Sequence, residues 1–256
     1  MEKKELTGLD VQAFPPEVGQ LMAGQKVFDS SCSDAARVYY LESGVYIKRA
    51  PAGVLGHEAL MGGIFHRHQL GPEVMMYLTE GQDWLVTRAA PGEDLLHHLD
   101  KPQLLCEQIA QKLHLLHNLP VLDAPESPGL AQYRQGVSGE GQGFEKYVLM
   151  DRFPIRDRQE ALALAKECLP CLGQDTLIHG DACLPNMMME NGKITSFIDF
   201  AASGAGDRHV DLFWALWSMK FNLKTEKWSD VLLDAYGRQH IDTELIRGIA
   251  ALEAVG

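Results

Sequence analysis

Between residues 25 and 50 the apolar positions come in short β-branched and aromatic runs, VF, ARVYYL and GVYIKRA, split by the polar stretch SSCSDAA and by a turn at ESG. That alternation predicts antiparallel strands. GHEALMGGIF reads as the start of a helix, and LGPEVMMYL and QDWLVTRAA as two more strands around the turn TEGQ. A small β-rich lobe with one helix is expected to end near Ala90. After APGED the period lengthens: in KPQLLCEQIAQKLHLLHNL, Leu105, Ile109, Leu113 and Leu116 recur at helical spacing. RQEALALAKECL and the chain from VDLFWALWSMKF onward carry the same signal. The segment VLDAPESPGLAQYRQGVSGEGQGFEKY is rich in Gly, Pro and polar residues and is expected to be an extended loop region. No internal repeat is visible. The predicted architecture is α+β, with an N-terminal lobe over 1–90 and a larger, mostly helical lobe over 91–256.

Within the second lobe, TLIHGD reads as a short strand running into a loop. NMMMENGKITSFIDF reads as a hairpin whose turn residues, Asn191 and Gly192, tolerate positive φ. A hairpin returns its ends to one place, so Asn186 before the first strand should lie close to Asp199 after the second. Two oxygen donors at the mouth of a hairpin suit a hard cation such as Mg²⁺, which takes one or two protein carboxylates and completes its octahedron with phosphate oxygens and water. Asp181, on the loop leading to Asn186, would then be placed to orient an acceptor hydroxyl and take its proton. His179 is assigned to shaping this loop. Asp, Asn and Gly are ordinary turn formers, and any one of them alone would read as a turn. The combination of HGD, an Asn five residues on, an NG hairpin and an apolar-flanked Asp carries the chemistry.

Composition narrows the classes. The 256 residues, 46% of them hydrophobic, are ample for a packed core, and no run is long and uncharged enough for a membrane helix. The N-terminus MEKKELTGLD has no apolar signal core, so the expected location is the cytoplasm, with no membrane partner. The formal charge of -12 argues against a nucleic-acid partner and suits a cationic small molecule. Five cysteines without an export signal are expected to be free thiols. Cys168 and Cys171 form a C-x-x-C, but without a second such pair they read as small residues near a helix end. His114 and His117, three apart on a leucine-bearing helix, read as structural.

HGDACLPN, ENGKITSFID, CSDAARVY, YIK, GQDWL, PGEDLL and GDRHVDL together resemble the aminoglycoside 3'-phosphotransferase family, one of the kinase-like phosphotransferases. The resemblance spans most of the chain and implies a two-lobed protein-kinase-like fold that binds ATP and Mg²⁺ and phosphorylates a hydroxyl group of an aminoglycoside. It implies that Asp181 is the catalytic aspartate and that Asn186 and Asp199 are the metal ligands. It further implies that Lys48 contacts the α- and β-phosphates and pairs with Glu58 on the helix of the first lobe. Ser33, in a strand turn that replaces a glycine-rich loop, would bond phosphate oxygens; Tyr46 would stack on adenine; and Ala90, at the end of a hinge starting at Arg88, would bond the base through its backbone. Asp207 and Asp211 would brace the catalytic loop.

The acceptor side departs from the family pattern. Ala202 stands where an arginine is expected, Phe221 and Asn222 stand where an acidic pair is expected, and the tail LEAVG leaves Glu253 as the acid in a plausible position. Each lost carboxylate removes a charge-assisted bond to an ammonium group, worth about 1.5–3 kcal/mol where water is excluded. Asp151, Asp157 and Glu160 either replace part of that acidity or are ordinary solvated charges. The expected reaction is therefore transfer of the γ-phosphoryl group of ATP to an aminoglycoside, with two alternatives. One is a kinase of another hydroxyl compound, such as choline, a macrolide or an amino alcohol. The other is a nucleotide-binding module without transfer activity.

Overall fold

The computed structural model describes residues 4–31, 36–121, 123–138 and 143–256. The chain divides into two compact units, Met1–Ala90 and Pro91–Gly256.

In the first unit six strands form an antiparallel sheet: β1 (Lys4–Glu5), β2 (Val27–Asp29), β3 (Arg37–Leu41), β4 (Val45–Pro51), β5 (Val74–Glu80) and β6 (Gln82–Arg88), in the order β1-β2-β3-β4-β6-β5. Because side chains alternate across a strand, β4 sends Val45 and Ile47 to a core with Leu41, Trp84 and Val86, and Tyr46 and Lys48 to the opposite face. On that face Leu55 and Ala59, at the start of α2 (Gly56–Arg67), pack on Ala50 and Leu85.

The unit contains a second helix that was not expected, α1 (Pro16–Met22), with Val18 and Met22 buried in the core. Its seven residues are too few to show a helical period. Pro at its first position and one apolar pair four apart suffice once the sheet is there to pack against.

The second unit begins with β7 (Glu93–Asp94) and is then mostly helical: α3 (Pro102–His117), α4 (Pro128–Ser138), α5 (Arg158–Cys168), and, after the strands, α6 (Arg208–Leu223), α7 (Ser229–Tyr236) and α8 (Thr243–Val255). Leu105, Ile109, Leu113 and Leu116 of α3 are fully buried, as their spacing predicted. β9 (Met187–Glu190) and β10 (Lys193–Phe197) form the expected hairpin, with Asn191 at φ 52 and Gly192 at φ 76, and β7 joins it as a third strand. β8 (Thr176–Ile178) pairs with β11 (Gly204–Gly206).

The Pro128–Ser138 part of the segment expected as loop is corrected by α4. Its apolar stripe is only Leu130 and Tyr133, and Gly129 and Gly136 weaken the local signal. What holds it is long-range packing: Gly136 lies so close to the chain end that a Cβ there would sit 2.8 Å from the Gly256 Cα. Among the described residues no helix is long and apolar enough to cross a membrane. Cys106, Cys168, Cys171 and Cys183 are free thiols, and Cys168 packs where Gly248 has no side chain.

Candidate functional site

The loop from β8 to β9 is held by its backbone. Asp211, on the first turn of α6 and fully buried, accepts the His179 N–H at 2.8 Å and the Gly180 N–H at 2.7 Å. The same carboxylate meets His117 Nε2 at 3.0 Å, and His117 Nδ1 meets the Tyr236 hydroxyl at 2.8 Å, which ties the loop to α3 and α7. The His179 ring stacks on Phe197, and its Nε2 lies 2.9 Å from the Ile198 carbonyl. A carbonyl only accepts, so Nε2 carries the proton and Nδ1 accepts the Asp181 N–H at 3.3 Å. Gly180 sits at φ +82, and a Cβ there would lie 2.1 Å from the Ala202 carbonyl oxygen, so only glycine lets the loop pass.

The side chain of Asn186 donates through Nδ2 to the Asp181 carboxylate at 2.8 Å and to the Asp181 carbonyl at 3.0 Å. With the nitrogen committed, the amide oxygen of Asn186 is left for another partner. The hairpin closes as expected: Met187 pairs with Phe197, and the Ile198 N–H donates to the Asn186 carbonyl at 2.9 Å, so Asp199 follows directly on the residue bonded to Asn186. Asp199 is exposed and holds φ 64, a left-handed backbone that Asp adopts more readily than most residues and that often marks functional loops.

An amide oxygen and a carboxylate form a hard-oxygen pair that fits Mg²⁺ with phosphate and water completing its shell. Among the described residues no group of three or more His, Cys, Asp and Glu could hold a metal unaided, so a site here would depend on the phosphates.

Asp181 and Asn186 open into a cavity of about 740 Å³ within the second unit. α4 contributes Tyr133 and α8 contributes Glu253 to its wall. The Tyr133 hydroxyl donates to the Glu253 carboxylate, and burial pushes the Glu253 carboxyl up to about 7, with the Asp181 charge adding to the rise. The Ala202 carbonyl accepts the Ser127 hydroxyl at 2.8 Å.

Asp151, Asp157 and Glu160 do not line this cavity. Asp157 caps α5 by accepting the Glu160 N–H at 2.9 Å. Glu160 pairs with Arg156 at 2.8 Å and with Arg247 at 3.3 Å, and Asp151 is exposed, with its N–H donated to Glu226 at 2.7 Å. The Asp157 and Glu160 carboxylates serve helix capping and ion pairing in this structure. Asp207 likewise caps α6 through the His209 N–H at 2.9 Å and accepts the Gly173 N–H at 2.8 Å.

In the first unit the Lys48 Nζ grips both oxygens of Glu58, at 3.0 and 2.8 Å. Tyr46, two residues earlier on the same face, has its ring 4.9 Å from that of Tyr40. Ala90 is the last residue of the unit, and the neighbouring Ala89 N–H donates to the Gly44 carbonyl at 2.8 Å. Ser33 lies outside the described residues.

One anchoring residue escaped the sequence reading. Asp83, fully buried on β6, accepts the Leu55 N–H at 2.8 Å and the Thr79 hydroxyl at 2.8 Å. Burial pushes its carboxyl up, yet these bonds outweigh it and hold the carboxyl below its usual value. Asp83 thereby fixes the start of the helix that carries Glu58. The sequence signal was an acid inside the strand QDWLVTR, which has to find partners or not be buried.

Comparison with known proteins bears on the family and the fold. The family model described as the phosphotransferase enzyme family matches residues 37–251. A probable aminoglycoside 3'-phosphotransferase of Lactococcus lactis subsp. lactis is 34% identical over 259 residues, covering 99% of this chain and 98% of the relative. Among solved structures, an aminoglycoside phosphotransferase from Streptomyces rimosus superposes with a TM-score of 0.72 at 21% identity, covering 96% of this chain and 98% of that one. The same enzyme in complex with ADP and streptomycin gives 0.67 at 21% identity, covering 86% and 90%.

Proposed function

Because this chain belongs to the phosphotransferase enzyme family, we propose that it transfers the γ-phosphoryl group of ATP to a hydroxyl of an aminoglycoside, with the 3'-type selectivity named for its relatives, and so confers resistance. The observation that carries this reading is the Asp181 carboxylate held by the Asn186 amide on the wall of a cavity large enough for a sugar-sized acceptor. Asp181 takes the proton of the acceptor hydroxyl as that oxygen attacks the γ-phosphorus and the bond to the bridging oxygen of ADP breaks.

Asn186, through its free amide oxygen, and Asp199 would hold Mg²⁺. When bound, the ion supplies neutralisation of charge on the phosphate oxygens. In the first unit, Lys48 neutralises the α- and β-phosphates, with Glu58 fixing the direction of its ammonium. Tyr46 stacks on the adenine, the Ala90 backbone bonds the base edge, and Ser33 adds a hydroxyl to the phosphates. Binding of the cationic acceptor is assigned to Glu253. The protein works in the cytoplasm, where ATP is supplied.

A second reading keeps this machinery and changes the acceptor to another small alcohol; it is favoured by Phe221 and Asn222 standing on the cavity wall. An ATP-coupled assay with Mg²⁺ over a panel of aminoglycosides and other alcohols, with mass spectrometry of the product, decides between them. Phosphorylated kanamycin supports the first reading. Product from a different alcohol alone supports the second, and no product from any acceptor removes both.

A further inference from the structure

Helix α6 turns three aromatic rings into the cavity. Trp214, Trp217 and Phe221 are spaced three and then four apart, so they form one stripe on the helix surface. Trp217 and Phe221 are stacked, with centroids 5.0 Å apart and an interplanar angle of 16°. Trp214 meets Trp217 edge-on at 5.4 Å, and Tyr147 meets it at 6.1 Å. The stripe is fixed in place, because the Trp217 indole N–H donates to the Tyr147 carbonyl at 2.9 Å. It also stays open to the cavity: Phe221 is 51% and Tyr147 62% exposed.

Charge on the same wall is sparse. The carboxylates lining the cavity among the described residues are Asp181, Asp207 and Glu253. Asp181 is the proposed base, and Asp207 is taken up by His209 and the Gly173 N–H. Glu253 accepts the Tyr133 hydroxyl and the Trp214 side chain and is the remaining carboxylate placed to meet a cation. At the outer end of the stripe the Lys224 ammonium sits 4.3 Å from the Phe221 centroid, so a further ammonium arriving there meets a like charge.

We infer that the acceptor is recognised by the apolar face of one ring lying on the Trp217–Phe221 stripe, together with a single ammonium at Glu253, and not by its total positive charge. The substrate class that fits is an amino-sugar or cyclic amino alcohol with one ammonium beside the reacting ring and an uncharged C–H face. The C–H bonds of such a ring meet the negative faces of the aromatic rings. Among the described residues, additional ammonium groups find no further carboxylate here and add little affinity. This inference rests on the phosphotransfer reading for its reacting hydroxyl, while its binding claim stands on the cavity alone.

The test is calorimetric titration of the whole chain without nucleotide, using amino sugars and aminoglycosides graded by the number of their ammonium groups. Affinity is expected to level off after the first ammonium. Trp217→Ala and Phe221→Ala are each expected to weaken every binder by about tenfold, the scale of a lost aromatic contact. Phe221 is an exposed side chain, so its variant tests the stripe even if the Trp217 variant folds poorly. Affinity that climbs with each added ammonium, or that survives Phe221→Ala unchanged, overturns the inference. Binding as described but without phosphoryl transfer on adding ATP and Mg²⁺ would uphold the acceptor site and remove the proposed reaction.

Discussion

The Asn186 amide nitrogen donates to the Asp181 carboxylate at 2.8 Å, so the proposed base and the proposed metal ligand orient each other. Asn186→Ala removes both the orienting bond and a ligand. Turnover is expected to fall by at least about a hundredfold, the scale of a mispositioned general base. Raising Mg²⁺ should recover part of that loss if the ligand is what was lost. Steady-state kinetics across a Mg²⁺ series check this.

Asp211 gathers two backbone N–H groups and a buried imidazole. Asp211→Ala removes the acceptor from both N–H groups and from the His117 Nε2 in a dry interior and is expected to destabilise the second unit by about 3–5 kcal/mol. Thermal unfolding measures it. Asp211→Asn keeps one acceptor and should fall between the variant and the parent.

Gly180→Ala is expected to displace the loop, because the added Cβ meets the Ala202 carbonyl at 2.1 Å on a backbone with φ +82. The expected result is a fall in kcat with little change in the KM for ATP, measured by varying each substrate in turn.

The fold was legible where its signals are local. The Asn191–Gly192 turn fixed the hairpin register, and the leucines of α3 announced a buried face. The geometry of the candidate site was legible because Asp181, Asn186 and Asp199 lie within one strand–loop–hairpin unit. The unread parts depend on partners far along the chain. α4 is held through Tyr133 and Glu253, 120 residues apart, and α2 starts from Leu55 and Asp83, 28 apart. The acids in MDRFPIRDRQEA could not be told from substrate ligands by sequence, since helix capping and ion pairing need the same carboxylates.

Glu253 yields a pH dependence with a defined sign. Its folded carboxyl is raised from 4.5 to about 7 by burial, with the Asp181 charge adding to the rise and the bonds from Tyr133 and Trp214 opposing it. The folded state therefore holds a proton that the unfolded chain has released, so stability contributed by this group is full below about 4.5 and is lost as pH rises toward 7. Glu253→Gln should flatten that slope in thermal unfolding. An ammonium binds the ionised form, so acceptor KM should fall as pH rises through about 7, and the Gln variant should lose that fall.

Asp83→Ala is expected to loosen the start of α2 and with it the Lys48–Glu58 pair. A loss of about 2–4 kcal/mol in the first unit follows from its unpaired donors. The KM for ATP should rise while acceptor binding, measured by calorimetry, stays unchanged.

The central claim is that Asp181 takes the proton of the acceptor hydroxyl. The most direct measurement compares single-turnover phosphoryl transfer to the acceptor by the parent and by Asp181→Asn, with ATP binding measured in parallel. Asp181→Asn keeps the shape of the side chain and removes the base. The account predicts a transfer rate lower by at least about a hundredfold with ATP affinity nearly unchanged. Transfer at the parent rate would contradict it.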